Sequence, residues 1–269
     1  MSESAAPMPL SVTPRAPAPH VPVRAGTVTG FLALMRWSLA STGAMLPLIV
    51  IIQAMLAAGI IIGFGFVIGD ITPAGALFLS TGAPTILLLT IGLVIVPQGV
   101  SRARASGALD YQRALPVARP LLLIVDLVVW ALIALPGVAV GLIVARLRFG
   151  LTFSFDWPLL ILASLLVTTM ATAVGYAIAV SLPPVPAQMA SQVLVFFVLL
   201  FSPITFPAEQ LPQWFQLLHD LLPIRPAADL LRAGIAAQSF TAELRDLLVL
   251  VAWTALGLVV TARALVRRR

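Results

Sequence analysis

Residues 101–119 read SRARASGALDYQRALPVAR and form the polar segment around which the rest of the chain is arranged. The segment contains four arginines: Arg102, Arg104, Arg113 and Arg119. Apolar runs long enough to cross a bilayer flank it on both sides, so it has to lie in water at one membrane face. Because cytoplasmic loops carry the excess of basic residues, we expect that face to be the cytoplasmic one, where the segment offers a docking surface to a soluble partner.

The composition indicates an integral membrane protein. The chain has 269 residues, of which 60% are hydrophobic and 10% charged, and its mean hydropathy is +1.07. A soluble domain is about half apolar and about a quarter charged, so the polar residues needed to cover one are missing here. The net charge of +6 comes from arginines spread over tails and loops, which favours anionic lipids over nucleic acid as a partner. The sequence has no cysteine, which excludes disulfides, thiolate metal sites and a cysteine nucleophile.

Six apolar segments of bilayer-spanning length follow one another along the chain. They cover about residues 44–68, 76–97, 121–145, 158–182, 188–206 and 247–265. The expected fold class is therefore an all-α integral membrane protein with six transmembrane helices. With the N-terminus inside, eleven arginines lie on the cytoplasmic side and five on the outer side. We therefore expect a plasma-membrane protein with both termini in the cytoplasm.

The first 40 residues precede the spans and contain two different segments. Residues 1–26 are rich in Pro, Ala and Ser and cannot bury enough apolar surface to fold, so we expect a disordered cytoplasmic tail. Residues 27–40 have a short helical pattern that Arg36 interrupts, which is too short to span. We expect an interfacial helix there, with Trp37 at headgroup level, as the first element of a membrane domain over 27–269.

Residues 207–246 separate the last two spans and are long but not polar. Their first half carries an apolar helical stripe, Leu211, Phe215, Leu218 and Leu222. In their second half, Asp229 and Arg232 have the spacing of an ion pair on a helix. Neither half can span, so we expect a re-entrant helical hairpin on the outer face. A surface-lying amphipathic hairpin is the alternative.

No catalytic or metal-binding pattern is present in these 269 residues. Only two histidines occur, His20 and His219, and we expect His219 to be solvated or interfacial. The sequence has no HExxH or GxSxG motif and no lysine, so it cannot form the lysine-containing loop that cradles ATP phosphates. We therefore expect no enzyme activity, no metal and no cofactor bound by this chain itself.

Two polar residues fall inside the predicted spans. Gln53 is expected to hold two helices together. Asp126, close to the arginine-rich face, is expected to pair with a nearby arginine such as Arg119. Small residues and prolines within the spans favour close packing or kinks, namely Gly63, Gly65, Gly92, Pro136, Gly137, Gly141 and Gly175.

Two stretches together resemble the permease subunits of ABC-2 type exporters, particularly the drug-efflux branch with the daunorubicin-type permeases. In the polar segment, the resemblance is carried by Arg102, Arg104, Gly107, Leu109, Asp110, Leu115, Pro116, Val117 and Arg119. In the outer region, it is carried by Pro207, Leu211, Pro212, Pro223, Asp229 and Arg232. The chain departs from the pattern at Asp126, where relatives often have a basic residue, and at Arg225–Pro226.

The resemblance implies an exporter permease for a hydrophobic or amphiphilic compound such as a drug, an antibiotic or a lipid-like molecule. Segment 101–119 would be the coupling loop that contacts a separate ATP-binding subunit. Two copies of that subunit would be present, and they would bind ATP and magnesium. Residues 27–40 would be the connecting helix, and 207–246 the re-entrant hairpin. A second permease, identical or paralogous, would complete the pathway.

Two alternatives remain open at this point. A lipid or polysaccharide exporter of the same fold would share every feature above. A non-transporting membrane scaffold or immunity protein would share the spans, but charge reversal in the loop would not change its activity.

Overall fold

The computed structural model describes residues 27–43, 45–107 and 119–267. The predicted tail, residues 1–26, and the centre of segment 101–119 lie outside these ranges. The described helices are α1 (Thr27–Gly43), α2 (Leu46–Ile68), α3 (Pro73–Thr90), α4 (Val96–Ala105), α5 (Arg119–Phe149), α6 (Trp157–Ser181), α7 (Pro184–Phe201), α8 (Gln213–Leu221), α9 (Ile224–Ile235) and α10 (Leu244–Arg267).

Six helical segments are long and apolar enough to cross a membrane. They are Leu46–Val67, Pro73–Ala105, Ile124–Phe149, Trp157–Ser181, Pro184–Phe201 and Leu244–Ala264. Across the described ranges no strand is formed, and a single isolated bridge joins Ser154 to Ala236. The predicted fold class, an all-α protein with six membrane-spanning helices, is confirmed.

The second spanning segment is longer than predicted, because the helix continues past Pro97 to Ala105. A π-helical segment, Ile91–Ile95, joins α3 to α4 and ends two residues before this proline. A proline ring crowds the carbonyl group four residues earlier, which here belongs to Leu93 within the π segment. The wider π turn thus opens the backbone where the ring would clash, and the helix extends into the polar segment.

The segment Pro73–Ala105 lies at the centre of the bundle. In its most apolar stretch, 89% of the residues are buried, whereas in that of α7 the buried share is 17%. The outer surfaces of α2, α5, α7 and α10 carry large exposed apolar side chains, including Met55, Leu132, Val193, Phe196 and Val259. A surface of this kind is suited to lipid or to another membrane helix.

The two ends of the bundle differ in structure. We call the end where α4 stops and α5 begins the loop side, and the opposite end the hairpin side. The six spans place α1 and the end of α10 on the loop side. There α1 packs Phe31, Leu34 and Met35 against α5. Its location at a membrane surface stays a prediction.

On the hairpin side, a 3-10 turn (Ala208–Gln210), α8 and α9 connect α7 to α10. Nearly every residue of α9 is buried against α3, α6 and α10. In contrast, α8 exposes Trp214, Leu217 and Leu221. The region therefore consists of two short helices as expected, and its re-entrant position stays a prediction.

Candidate functional site

The base of the polar segment is a glycine-terminated helix end. The backbone N–H of Ser106 donates to the carbonyl oxygen of Arg102 at 3.0 Å as α4 ends. Gly107 follows with φ +75°, a left-handed conformation that glycine adopts without steric cost. Gly107 is thus the point where the chain leaves the helix.

Arg104 ties this helix end to α6. Its Nη1 donates to the carbonyl oxygen of Leu182 at 2.7 Å and also to that of Ala179. The last carbonyl groups of a helix lack partners within it, and their partial negative charge favours a cation. Arg104 therefore caps the C-terminus of α6 and fixes the loop base to it.

The other residues expected in coupling have different positions. Arg102 is exposed, and its Nε donates to the carbonyl oxygen of Gln98 at 3.3 Å. Arg119 is the first residue of α5. Leu109, Asp110 and Pro116 lie outside the described ranges. Of this set, the structure thus describes the start of the loop and the helix that follows it.

Asp126 has a partner that the sequence did not indicate. The hydroxyl of Tyr176 on α6 donates to Asp126 Oδ2 on α5. Tyr176 lies one turn before Ala179, which Arg104 contacts, and it packs in an apolar cluster with Val96 and Val100 of α4. The loop base, α5 and α6 therefore meet at one point. The pairing expected with Arg119 stays a prediction, because that side chain is not among those described.

Small residues allow α6 and the π segment to touch backbone to backbone. A Cβ atom placed on Gly92 would lie 2.4 Å from the Ala171 Cβ, and one on Gly175 would lie 2.0 Å from the Gly92 carbonyl oxygen. Neither site has room for a side chain. The close packing expected of Gly92 and Gly175 is therefore observed, whereas Gly63 has no neighbour within 4 Å of such an atom.

Gln53 joins α2 to α5, as expected. Its Nε2 donates to the carbonyl oxygen of Ile133 at 3.3 Å, and the residue is buried. Gly137 provides the space, because a Cβ atom there would lie 1.9 Å from Gln53 Oε1.

On the hairpin side, Arg232 of α9 is buried and contacts three residues, Asp229, Ile204 and Phe78. Its Nη1 lies 2.7 Å from Asp229 Oδ1, so the ion pair expected from their spacing is present. Its Nη2 donates to the carbonyl oxygen of Ile204, just after α7. Its guanidinium carbon lies 3.7 Å from the ring centre of Phe78 on α3. Arg232 thus holds α9, α3 and the segment after α7 together.

The charge of Arg232 persists at neutral pH. Burial lowers the pKa of Arg232 to about 10, and the carboxylate of Asp229 counteracts the decrease. The side chain is therefore a permanent cation that is almost completely buried. The carboxylate of Asp229 and the Phe78 ring compensate its charge.

Further ion pairs connect the two short helices to α10. Arg225 pairs with Asp220 of α8 and lies 3.5 Å from Asp229. Arg245 of α10 pairs with Asp220 at 2.9 Å. Asp220 of α8 thus contacts an arginine of α9 and an arginine of α10, which ties the hairpin to the last span.

Three prolines mark where the elements of this region begin. Pro207, Pro212 and Pro223 each occupy the position immediately before a helical segment, respectively the 3-10 turn, α8 and α9. A proline is tolerated there because the first N–H groups of a helix have no partner within it. These prolines therefore set the boundaries of the hairpin.

His219 differs from expectation, because it is fully buried rather than solvated or interfacial. Its ring packs edge-on to Phe215, and its Nδ1 lies 3.0 Å from the Phe215 carbonyl oxygen. The prediction was wrong because His219 and Phe215 lie on the face of α8 that turns toward the bundle. Within the described ranges, no three His, Asp or Glu side chains come close enough to hold a metal ion.

A pocket of about 950 Å³ opens on the hairpin side. It lies between the turn that joins α2 to α3, the segment after α7, and the segment that connects α9 to α10. Its lining includes Phe64, Asp70, Phe78, Thr205, Phe206 and Phe240. We call it the hairpin-side pocket. No local sequence pattern indicated it, since its residues come from three separate parts of the chain.

The fold defines a multi-pass membrane protein, with a loop base anchored at one end and a charge-linked hairpin at the other. The sequence profile of the ABC-2 type transporter family matches residues 20–236, and the chain belongs to that family. No curated protein matches it. The chain is thus the membrane-spanning permease subunit of an ABC transporter, a transport subunit that is not catalytic by itself and that works in a complex with an ATP-binding subunit.

Proposed function

We propose that this chain exports a hydrophobic or amphiphilic compound across the plasma membrane, driven by ATP that a separate subunit hydrolyses. The family match over residues 20–236 carries the proposal. The absence of any lysine in the 269 residues is consistent with it, because the phosphate-cradling lysine then lies outside these residues. ATP and magnesium would bind to that partner.

The proposal places the loop side in the cytoplasm. Eleven of the 16 arginines fall in the sequence segments expected on that side, including the tail and segment 101–119. On the hairpin side, Arg225, Arg232 and Arg245 are each engaged by an aspartate. The excess of arginine on the loop side supports cytoplasmic termini.

In the proposed mechanism, segment 101–119 contacts the ATPase and transmits its movement into the bundle. Two helices receive the movement: α4 directly, and α6 through the Arg104 cap. Both continue toward the hairpin side, where α3 touches Arg232 and the start of α6 touches α9 at Gly234. The packing thus offers a continuous route from the loop to the hairpin.

Two permeases and two ATP-binding subunits would form the complete exporter. The exposed face of α7 supports a second permease, because it carries an unbroken helical stripe of apolar residues, namely Val185, Met189, Val193, Phe196 and Leu200. The second copy would be identical or paralogous.

The proposal is tested by reconstituting the chain in lipid vesicles with a candidate ATPase. We expect the permease to stimulate ATP hydrolysis and Asp110→Arg to abolish that stimulation, because Asp110 lies in the proposed coupling loop. Glu209→Arg is the matched control, since it makes the same charge reversal at an exposed residue on the hairpin side. An ATPase that never associates, or equal stimulation by wild type and Asp110→Arg, would contradict the proposal.

A further inference from the structure

The hairpin-side pocket has the size and lining of a site for a small molecule. Its volume of about 950 Å³ is near the upper end of the range of ligand pockets, about 300–1,000 Å³. Most of its lining is apolar, and four phenylalanines contribute to it, namely Phe64, Phe78, Phe206 and Phe240. Such walls suit an apolar or aromatic body.

The aromatic wall is fixed in place rather than loosely packed. Phe78 and Phe240 meet edge to face, with ring centres 6.2 Å apart. The guanidinium of Arg232 lies against Phe78 and also holds the Ile204 carbonyl group, next to Thr205 and Phe206 in the lining. Arg232 therefore positions two walls of the pocket at once.

The polar groups of the pocket favour a cation. Asp70 is the one charged residue in the lining, and within the described ranges no arginine comes within ion-pair distance of it. The buried hydroxyl of Thr205 has no hydrogen-bond partner among the described residues. A carboxylate, a hydroxyl oxygen and the faces of phenylalanine rings all attract positive charge.

The buried positive charge beside Phe78 does not reverse this preference. Arg232 lies behind Phe78, outside the lining, and its charge is compensated by Asp229 at 2.7 Å. Among the lining residues, Asp70 therefore has the one charge, and no ion-pair partner for it is found in the part of the chain that the structure describes.

We propose that the hairpin-side pocket binds an amphiphile with one positive charge, whose apolar body lies against the phenylalanines while its cationic group faces Asp70. The inference rests on the proposed function, for which it specifies an exit-side site and a substrate class. Asp70 is then the residue that selects for charge, and Phe206 contributes to affinity whatever the charge.

The test uses two probes of matched shape and opposite charge, tetraphenylphosphonium and tetraphenylborate. Binding is measured by equilibrium dialysis on the full chain in phosphatidylcholine nanodiscs, after subtraction of protein-free nanodiscs. We expect Asp70→Asn to weaken binding of the phosphonium about five- to tenfold, as removal of a partly screened charge pair should, and to leave borate binding unchanged or stronger. Asp70→Glu should restore phosphonium binding.

Two controls separate a site from general surface charge. Glu209→Gln removes an exposed carboxylate close to the pocket but outside its lining and should leave both affinities unchanged. Phe206→Ala should weaken binding of both probes by a similar factor. Equal phosphonium affinity in wild type and Asp70→Asn, or an equal loss in Glu209→Gln, would overturn the inference.

A transport measurement distinguishes failure of this inference from failure of the proposed function. In vesicles with the ATPase, we expect Asp70→Asn to raise the KM for tetraphenylphosphonium while maximal ATP hydrolysis is retained. ATP-driven transport with the same KM in wild type and Asp70→Asn would contradict the proposed site but not the proposed export function. If wild type binds the phosphonium selectively but shows no ATP-driven transport, the result would contradict the proposed export function but not the proposed site.

Discussion

Arg232→Met tests whether one buried cation holds the hairpin side together. The substitution keeps an unbranched apolar stem and removes the guanidinium. It leaves the Ile204 carbonyl group without the donor that it now has, and it removes the contact of the guanidinium with the Phe78 ring. We therefore expect the variant to be less stable, with the loss concentrated around α9.

The magnitude follows from these contacts taken one at a time. A buried carbonyl group that loses its partner costs about 1–3 kcal/mol, and a desolvated cation–π contact contributes about 2 kcal/mol. Asp229 is one-third exposed and keeps Arg225 at 3.5 Å, so the broken ion pair costs less than the 3–5 kcal/mol typical of a fully buried one. The variant no longer buries the charge of Arg232, and this gain offsets part of the summed costs. The expected decrease in the free energy of unfolding is therefore about 2–3 kcal/mol.

Unfolding by SDS from mild detergent micelles, followed by tryptophan fluorescence, measures this loss. Trp253 is a suitable reporter, because its Nε1 donates to the carbonyl oxygen of Leu221 at the end of α8. Arg245→Met is the matched control: its side chain is 53% exposed and forms one ion pair, so the expected loss is below about 1 kcal/mol. If Arg232→Met is no less stable than Arg245→Met, Arg232 does not have the role derived for it.

Three further substitutions are tested by the same unfolding measurement. Arg104→Gln should cost about 1 kcal/mol through the lost α6 cap, and it should lower stimulation of the ATPase without preventing its binding. Gly175→Ala should cost about 1–3 kcal/mol, since its Cβ would meet a backbone oxygen of the π segment at 2.0 Å, whereas Gly63→Ala in open space should not destabilise. Tyr176→Phe should cost about 1–3 kcal/mol because Asp126 loses its hydroxyl donor. For Arg104→Gln, Gly175→Ala and Tyr176→Phe, a stability equal to wild type would contradict the contact described, whereas for the control Gly63→Ala it is the expected result.

The number and approximate positions of the spans were predictable because long apolar runs leave the chain no soluble alternative. Their ends were less predictable. The helix that enters the polar segment continues past Pro97 to Ala105, and α5 begins at Arg119 rather than at residue 121. Hydropathy marks where a bilayer ends, whereas a helix ends where its backbone turns, and here that point is Gly107.

Local pairs were predictable, but long-range partners were not. The spacing of Asp229 and Arg232 on one helical face was sufficient to predict their ion pair. The contacts of Arg232 with Phe78 and Ile204, and that of Asp126 with Tyr176, join residues far apart in the sequence. Only the arrangement of the helices brings them together. Proximity in sequence favours an arginine such as Arg119 as a partner of Asp126, which stays a prediction, whereas Tyr176 comes from the neighbouring span.

The distribution of small residues limits how this permease can change shape. α6 touches the π segment at Gly92 and Gly175, α9 at Gly234 and α10 at Gly257, at distances too short for any side chain between the backbones. Close-packed surfaces of this kind do not slide by fractions of an ångström, so these elements have to move together. α7 is the least buried span and is held at its end by Arg232 through the Ile204 carbonyl group. We therefore expect a change of packing that opens the proposed pathway to take place along α7, at the edge of the rigid unit. Such a movement has to break the contact of Arg232 with Ile204 or carry Arg232 with it.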